Sequence, residues 1–327
     1  PRIVEMLKGQ GSEELYPPQA DAIGPALLGE NLVLAIPTAS GKSLVAYLAI
    51  IASVLRGGKA LYIVPLRALA SEKYEDLKEF ERIGIKVGMS VGDYDSPDPS
   101  LEKFDVIVAT SERADSLLRH RINWLQQLTV VVADEVHLIN DADRGPTLEV
   151  TLAKLRQVNP KAQVLALSAT IKNSDQLAKW LEAEHVKSDW RPVPLKEGVY
   201  HDRLIHFADR SVQEVKGGED DISGLVGDIM ASGGQALVFV STRRSTEALA
   251  KALGQQVKDK LNEKQRDQLA KIADSLAAAQ EEPTSMGARL AKSIGNGVAF
   301  HNAGLTNAQR AIVEKEFLLQ KPDEHQP

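Results

Sequence analysis

The sequence has 327 residues, of which 43% are hydrophobic and 26% charged, the balance of a globular protein long enough for two domains. Its formal net charge of −6 argues against a protein that coats nucleic acid through a generally basic surface. Cysteine is absent, which excludes a disulfide framework and cysteine-ligated zinc, and no apolar run reaches membrane-spanning length. We therefore predict a cytoplasmic monomer without membrane contact.

The first part of the chain alternates strand-like and helix-like segments. Short apolar runs rich in β-branched residues are separated by stretches whose apolar residues recur three or four positions apart. Such continuous runs are typical of strands buried on both faces of a parallel sheet, so the fold class is α/β. The predicted strands are 32–36, 60–64, 87–91, 105–110, 129–134 and 164–170. The predicted helices among them are 42–55, 67–80 and 147–158.

The pattern changes between residues 184 and 209, where we predict a short strand pair and a crossing linker. A second unit follows, with predicted strands at 235–241 and 298–300 and predicted helices at 221–232, 246–257, 261–280 and 306–319. A solvated linker is the alternative for 261–280. Two strands are too few for a complete parallel sheet, so we expect this unit to be incomplete. The predicted domains are 1–199 and 200–327.

A phosphate-binding loop is predicted at PTASGKS, residues 37–43, between the first strand and the first long helix. The unpaired amides and positive dipole at a helix start favour anions. Gly41 allows the backbone to wrap a phosphate, Lys42 supplies a positive charge, and the Ser43 hydroxyl suits Mg²⁺. Ile36 stands where the strict motif has its first glycine, so a simple strand-to-helix turn is the alternative.

Two further strand ends carry polar residues. DEVH, residues 134–137, follows a buried strand, and adjacent carboxylates there are costly unless they are paired or bind a metal. Asp134 is the candidate Mg²⁺ ligand and Glu135 the candidate base for a water molecule, a solvated acidic turn being the alternative. The third strand end is SAT, residues 168–170. Carboxyl ends of parallel strands share the edge at which α/β sheets bind ligands.

These three motifs, in this order, resemble motifs I, II and III of the superfamily 2 helicases. LYPPQADAI (15–23) looks like an adenine-recognition motif, and VPLRALASEK (64–73) and TSERADSLLR (110–119) look like motifs Ia and Ib. VGDYD (91–95), VFVSTRRSTE (238–247) and GVAFHNAGLTNAQR (297–310) resemble later elements of the family. DEVH together with HNAGL points to the Ski-like branch, and within it to archaeal DNA-repair helicases of stalled replication forks.

The resemblance implies two RecA-like parallel-sheet domains, with ATP and Mg²⁺ as cofactors and single-stranded or forked DNA as the partner. Lys42, Asp134 and Glu135 would then be catalytic, and Ser43 and Asp134 would hold the metal. The implied nucleotide-binding residues are Gln19, Pro37, Thr38, Ala39, Ser40, Gly41, Lys42, Ser43 and His137. The residues implied to couple nucleotide to nucleic acid are Ser168, Ala169 and Thr170, together with His137. The implied nucleic-acid contacts are Pro65, Arg67, Gly92, Thr110, Ser111, Glu112, Ser241, Thr242, His301 and Asn302.

Some alternatives stay open from the sequence. Ser111 could simply cap a helix, and Arg67 could simply be solvated. The family's motifs V and VI are not recognised after HNAGL, and they carry the arginines that reach the γ-phosphate. We therefore expect this chain to bind ATP weakly, to hydrolyse it slowly and not to unwind a duplex. An RNA helicase, or a nucleotide-dependent binding module without catalysis, remains the alternative function.

Overall fold

The computed structural model describes residues 14–92, 98–120, 122–218, 220–278 and 284–319, together with Ile3 and Glu5. The chain divides into two compact units, Pro1–Leu195 and Lys196–Pro327. Part of the VGDYD motif, residues 93–95, lies outside the described residues. Within those residues, no helix combines the length and apolar character that crossing a membrane requires.

The first unit is built on a seven-stranded sheet in which every neighbouring pair is parallel. Its strands are β1 (Leu32–Ala35), β2 (Lys59–Val64), β3 (Val87–Ser90), β4 (Val106–Thr110), β5 (Leu128–Ala133), β6 (Gln163–Ser168) and β7 (Glu184–Lys187). Their order across the sheet is β3-β4-β2-β5-β6-β1-β7. The six predicted strands all exist, and the α/β fold class with a parallel sheet is confirmed.

Helices cover both faces of this sheet. They are α1 (Pro17–Leu28), α2 (Lys42–Val54), α3 (Arg67–Lys78), α4 (Ser111–Arg119), α5 (Gly145–Val158) and α6 (Ser174–Leu181). Successive strand residues point to opposite faces, so Tyr62 packs in the layer with α1, α2 and α3, whereas Leu61 packs with α4, α5 and α6. Both faces are buried, which explains the unbroken apolar runs.

One strand of this sheet was not predicted. β7 pairs with β1 at the edge of the sheet, within the stretch 184–209 that the sequence assigns to a strand pair and a linker. Three of the four residues in its sequence EHVK are polar or charged, and its side chains are exposed or half-buried. An edge strand of this kind lacks the apolar run by which the inner strands are recognised.

The second unit begins with a three-stranded antiparallel sheet, in the order β10-β9-β8. These strands are β8 (Gly198–His201), β9 (Leu204–Phe207) and β10 (Val212–Glu214). In the described part of this unit five helices follow, namely α7 (Asp221–Ala231), α8 (Arg243–Lys258), α9 (Glu263–Ala278), α10 (Ser285–Gly295) and α11 (Asn307–Leu319). The helix predicted over 261–280 is therefore observed over 263–278, and residues 279 and 280 lie outside the described residues, while α10 was not predicted.

The two strands predicted at 235–241 and 298–300 are wrong for this chain. Neither segment forms a strand in the part of the unit that the structure describes, and the side chain of Phe239 is 87% exposed. A parallel strand needs neighbours that satisfy its backbone N–H and C=O groups. The described residues pair no strand with either segment, so their apolar runs do not become a sheet.

Candidate functional site

The carboxyl edge of the first unit's sheet brings the predicted motifs together. The segment after β1 leads into α2, the acidic pair Asp134 and Glu135 follows β5, and Ser168 ends β6, which lies between β1 and β5. Backbone bonds hold this edge in register, since Ile36 N–H donates to Ser168 O (3.2 Å) and Asp134 N–H donates to Ile63 O (2.8 Å). Motifs more than 90 residues apart in sequence thus become neighbours.

The loop before α2 has two left-handed backbone positions. Gly41, the residue before the first turn of the helix, has φ 71°, and Ala39 has φ 64°. Pro37 and Ser40 are buried, whereas Thr38 and Ala39 are exposed. The Ser40 hydroxyl donates to the carbonyl of Trp190 (3.1 Å), which ties the loop to the segment after β7. The loop therefore turns sharply and leaves its tip open to solvent.

Lys42 and Glu135 form an ion pair across this edge. The Lys42 Nζ atom lies 3.5 Å from Oε1 of Glu135, and both side chains are largely shielded, with 8% and 24% of their surface exposed. Glu135 has a left-handed backbone, with φ 50° and ψ 40°, a strained conformation for a residue with a side chain. That conformation directs the chain into a short 3₁₀ turn and places the carboxylate beside the lysine.

Asp134 is held by two donors. Its Oδ2 accepts from the Tyr62 hydroxyl (2.8 Å), and its Oδ1 accepts from the N–H of Glu135 (2.9 Å). The side chain is buried, which raises its pKa, while the hydrogen bond from Tyr62 opposes that shift. Burial, and next the charge of Asp134, raises the pKa of Tyr62 well above its ordinary value, so the hydroxyl stays protonated and donates.

His137 connects the acidic pair to the end of β6. Its Nδ1 atom lies 3.2 Å from Oε2 of Glu135 and 3.4 Å from the N–H of Ala169. A nitrogen that accepts from the Ala169 amide carries no proton to donate to Glu135, so the two contacts exclude each other. In the arrangement with the amide bond, Oε2 of Glu135 is buried without a hydrogen-bond partner among the described residues. His137 can therefore bond to Glu135 when Nδ1 carries a proton, or to the Ala169 amide when it does not.

Gln19 lies against the loop from α1. Its Nε2 donates to the carbonyl of Gly41 (3.0 Å), and its Oε1 accepts from the N–H of Tyr16 (2.8 Å). It is only 3% exposed. The Tyr16 ring in turn packs against Trp190, with 4.7 Å between ring centroids. Gln19 is thus fixed beside the backbone of the loop before α2.

The SAT segment lies at the end of β6. Ser168 is fully buried, and its hydroxyl donates to the carbonyl of Ala169 (2.7 Å). Ala169 is half-buried and Thr170 is exposed. Only Ala169 contacts His137, through its backbone N–H. The connection from this segment to the acidic pair therefore passes through a main-chain group.

Candidate nucleic-acid contacts of the first unit differ in exposure. Arg67 and Glu112 are exposed, and Gly92 is half-buried. Pro65 is buried, and so are Thr110 and Ser111, with 5% and 3% of their surface exposed. Thr110 caps α4 by accepting from the N–H of Arg113, so the capping role considered for Ser111 belongs to its neighbour. These two side chains face the interior, which leaves backbone groups and the two charged residues as the accessible ones.

The second unit holds the remaining four candidates. Ser241 and Thr242 are exposed at the start of α8, and the Thr242 side chain caps that helix by accepting from Ser245 N–H. His301 Nε2 lies 2.8 Å from a carboxylate oxygen of Glu314. Asn302 is buried; its Nδ2 donates to the Thr246 hydroxyl and its Oδ1 accepts from Gly304 N–H. Asn302 therefore organises its own loop.

Sequence reasoning missed three aromatic residues of this region. Tyr62 bonds Asp134, Trp190 accepts from the loop through its carbonyl, and Tyr16 packs on Trp190 while bonding Gln19 through its backbone. The available signal was a tyrosine inside an otherwise aliphatic strand. A buried tyrosine hydroxyl needs a hydrogen-bond partner, and the nearest polar group is at the strand end.

Comparisons with known proteins identify the family. Residues 16–177 match the model described as DEAD/DEAH box helicase. Proteins named ATP-dependent DNA helicase Hel308 are similar over nearly the whole chain. The one from Methanocella arvoryzae is 52% identical over 96% of this chain and 43% of its own length. Those from Pyrococcus horikoshii and Thermococcus kodakarensis are 45% and 46% identical over 97% of this chain, and over 43% and 27% of their own lengths.

The chain thus spans less than half the length of each of these relatives. The helicase resemblance that the motifs carry is confirmed, since the matched span contains both the phosphate loop and the acidic pair. Residues 16–177 therefore form a DEAD/DEAH box helicase domain.

Proposed function

We propose that this chain is the nucleotide-binding part of an ATP-dependent DNA helicase that moves along single-stranded DNA in the 3′ to 5′ direction, in repair of stalled replication forks. The observation that carries the proposal is the pairing of Lys42 with Glu135 at the end of a phosphate-binding loop (3.5 Å). Residues 1–199 would form the ATP-binding domain, and residues 200–327 would belong to a second RecA-like domain. The names of the relatives favour DNA over RNA as the track.

Nucleotide binding would rest on the first turn of α2. Its first N–H groups, which no side chain caps, and the Lys42 ammonium both attract phosphate oxygens. In the structure the Lys42 ammonium pairs with Glu135. A bound triphosphate would pair with Lys42 instead and so release the Glu135 carboxylate. Gln19, already fixed beside Gly41, would accept and donate hydrogen bonds at the adenine edge. The nucleotide site would be completed by the loop residues Pro37, Thr38, Ala39 and Ser40, together with His137.

The residues present suit a magnesium ion bound together with nucleotide. Ser43 and Asp134 offer the hard oxygen ligands that Mg²⁺ prefers. In the described part of the chain, no group of three or more acidic or histidine side chains could hold a metal by itself. Phosphate oxygens and water would therefore have to supply the remaining ligands. When bound, the ion neutralises the charge that develops on the phosphates.

Glu135 is the proposed base. Its carboxylate, which lies beside Lys42 and within reach of His137, is placed to orient the attacking water and accept a proton from it. His137 would then respond to the protonation of Glu135, because its Nδ1 atom lies within reach of both Glu135 and the amide of Ala169. We propose that this contact, with Ser168 and Thr170 next to it, couples nucleotide state to nucleic-acid grip.

The nucleic-acid contacts are proposed along the same edge. Arg67 and Glu112 are accessible there, and backbone groups of Gly92 and Thr110 lie at neighbouring strand ends. Contacts of this kind hold the sugar–phosphate chain and do not read sequence. Within the second unit, taken by itself, the proposed nucleic-acid contacts are Ser241, Thr242, His301 and Asn302.

The chain alone is proposed to bind nucleotide with little hydrolysis. More than half of each relative lies outside the aligned region. Arginine fingers contribute on the order of 10³ to 10⁵ in rate in other phosphoryl-transfer proteins. A nucleotide-dependent binding module is therefore the second candidate for this chain by itself. DNA-stimulated ATPase activity of this chain at the rate of a longer relative would contradict it.

Binding of a fluorescent ATP analogue with Mg²⁺ tests the site. Lys42→Ala should weaken binding about tenfold to a hundredfold, because it removes a charged hydrogen bond worth roughly 1.5–3 kcal/mol. The control is Lys86→Ala. Lys86 is an exposed lysine just before β3, at the amino end of the strands and not at the carboxyl edge near Lys42. Equal affinities for the two variants would remove the basis of the proposal.

Hydrolysis is tested in a longer protein that contains this chain. Glu135→Gln should retain ATP binding and lower the DNA-stimulated turnover by about 10² to 10⁴, the usual contribution of a general base. Single-stranded DNA and RNA of equal length are compared as stimulants. Normal turnover by this variant would show that another residue is the base. Stronger stimulation by RNA than by DNA would show that the helicase moves along RNA.

A further inference from the structure

The Tyr62 hydroxyl lies directly behind the two proposed metal ligands. Tyr62 is fully buried in β2, the neighbour of the strand that ends at Asp134. Its hydroxyl donates to Oδ2 of Asp134 (2.8 Å), while Oδ1 accepts from the Glu135 N–H. Both carboxylate oxygens are therefore engaged, so the plane of the carboxylate is fixed by the protein.

The same hydroxyl lies near Ser43 of the phosphate loop, whose side chain lowers the pKa of Tyr62 against the larger upward effects of burial and of Asp134. A phenylalanine would fill the space between β2 and α2 equally well and would avoid burying a polar atom. The hydroxyl is thus better explained by its two polar neighbours than by packing.

We propose that Tyr62 is a positioning residue for the magnesium–nucleotide complex, holding the Asp134 carboxylate in the orientation that receives the ion. This inference rests on the proposed function. Mg²⁺ demands nearly ideal octahedral geometry. Partners that orient metal ligands commonly change metal affinity by 10- to 100-fold when they are removed, on the order of the effect expected here.

Tyr47 offers a matched control in the same layer. Its ring centroid is 6.0 Å from that of Tyr62, and the Ser43 side chain lowers its pKa too, against the larger upward effect of burial. Its hydroxyl, however, donates to Oδ2 of Asp76 on α3 (2.7 Å) and not to Asp134. Removing the Tyr47 hydroxyl therefore repeats the loss of a buried tyrosine hydroxyl near Ser43, and it spares the bond to Asp134.

The experiment measures affinity for a fluorescent ATP analogue over a series of Mg²⁺ concentrations and in EDTA. Tyr62→Phe should raise the Mg²⁺ concentration for half-maximal binding about 10- to 100-fold. Affinity in EDTA should change less than about twofold, and Tyr47→Phe should alter neither value by more than that. In an Asp134→Asn background, Tyr62→Phe should have no further effect, because a residue acting through Asp134 is not additive with it.

Each other result overturns the inference. An unchanged Mg²⁺ dependence, or an equal shift for Tyr47→Phe, would show that the bond to Asp134 is not what matters. Loss of binding in EDTA as well would show that the hydroxyl acts through the fold and not through the ion. An additive effect beside Asp134→Asn would point to another route. Failure of the unsubstituted chain to bind nucleotide at any Mg²⁺ concentration would instead refute the proposed function itself.

Discussion

Gly41 is a position of the first unit at which a single added methyl group should carry two separable costs. Its φ is 71°, in the left-handed region that residues with a Cβ avoid. A Cβ at this position would also overlap Nε2 of Gln19. Gly41→Ala therefore strains the backbone and displaces a buried amide that bonds the Gly41 carbonyl and the Tyr16 N–H.

The two costs can be separated. The left-handed backbone costs about 1–2 kcal/mol for a residue with a side chain. Gln19 is only 3% exposed, so a displaced amide loses its bonds without reaching water, at about 1–3 kcal/mol. Gly41→Ala should thus destabilise the unit by about 2–5 kcal/mol in all. Gly29 has φ 87°, and a Cβ there would meet nothing within 4 Å, so Gly29→Ala carries only the first cost.

Urea unfolding followed by tryptophan fluorescence measures this difference. All three tryptophans, Trp124, Trp180 and Trp190, lie in the first unit, so the signal reports on that unit alone. The smaller entropy of the unfolded chain that alanine brings is common to both variants and cancels. Equal destabilisation by Gly41→Ala and Gly29→Ala would refute the role assigned to Gln19.

Other consequences of the structure can be measured in the same chain. Phe239 is 87% exposed and Phe300 is 5% exposed within the second unit's core, so Phe239→Ala should change the free energy of unfolding by less than about 0.5 kcal/mol, and Phe300→Ala should lower it by about 3–5 kcal/mol. Far-UV circular dichroism during urea unfolding distinguishes them, and similar costs would contradict the exposed placement. The N–H groups of Arg144 and Asp143 bond the Asp141 carboxylate and lower its pKa. Its contribution to stability is then present above the unfolded-state pKa of about 3.9 and is lost as pH falls through the lower folded value. Carbon-detected NMR titration of Asp141 checks this, and a midpoint at or above the ordinary value would contradict it.

The sheet of the first unit was predictable because burial on both faces imposes a sequence signature. Each inner strand is a run of four to six residues without a charge inside, as in β5 and β6, and such runs have few other uses in a globular chain. β7 was not predicted because it is a partly exposed strand with one neighbour, so its side chains need not be apolar. The segment 235–241 is the opposite case. It is apolar enough to be predicted as a strand, but no strand among the described residues pairs with it.

The site was predictable where a residue's chemistry alone marks it. Asp134 and Glu135 directly follow a buried strand and Lys42 begins the helix after another, so their positions follow from the topology. Tyr62 lies in the middle of a strand and reaches the site only through its length, which the motif spacing does not reveal. Burial could not be predicted either. Whether Thr110 faces a ligand or caps its own helix depends on a hydrogen bond to the next turn.

Gly41 and Ala39 show why a glycine is needed at one left-handed position of the loop and not at the other. Ala39 has φ 64°, close to the value at Gly41, yet it carries a Cβ and lies exposed at the loop tip. The conformation by itself is therefore tolerable, at a cost of about 1–2 kcal/mol. At Gly41 the added atom would meet Gln19, the residue that fastens α1 to the loop. The glycine is required because a neighbouring side chain lies against the backbone, so a Gln19→Ala background should reduce the cost of Gly41→Ala towards that of Gly29→Ala.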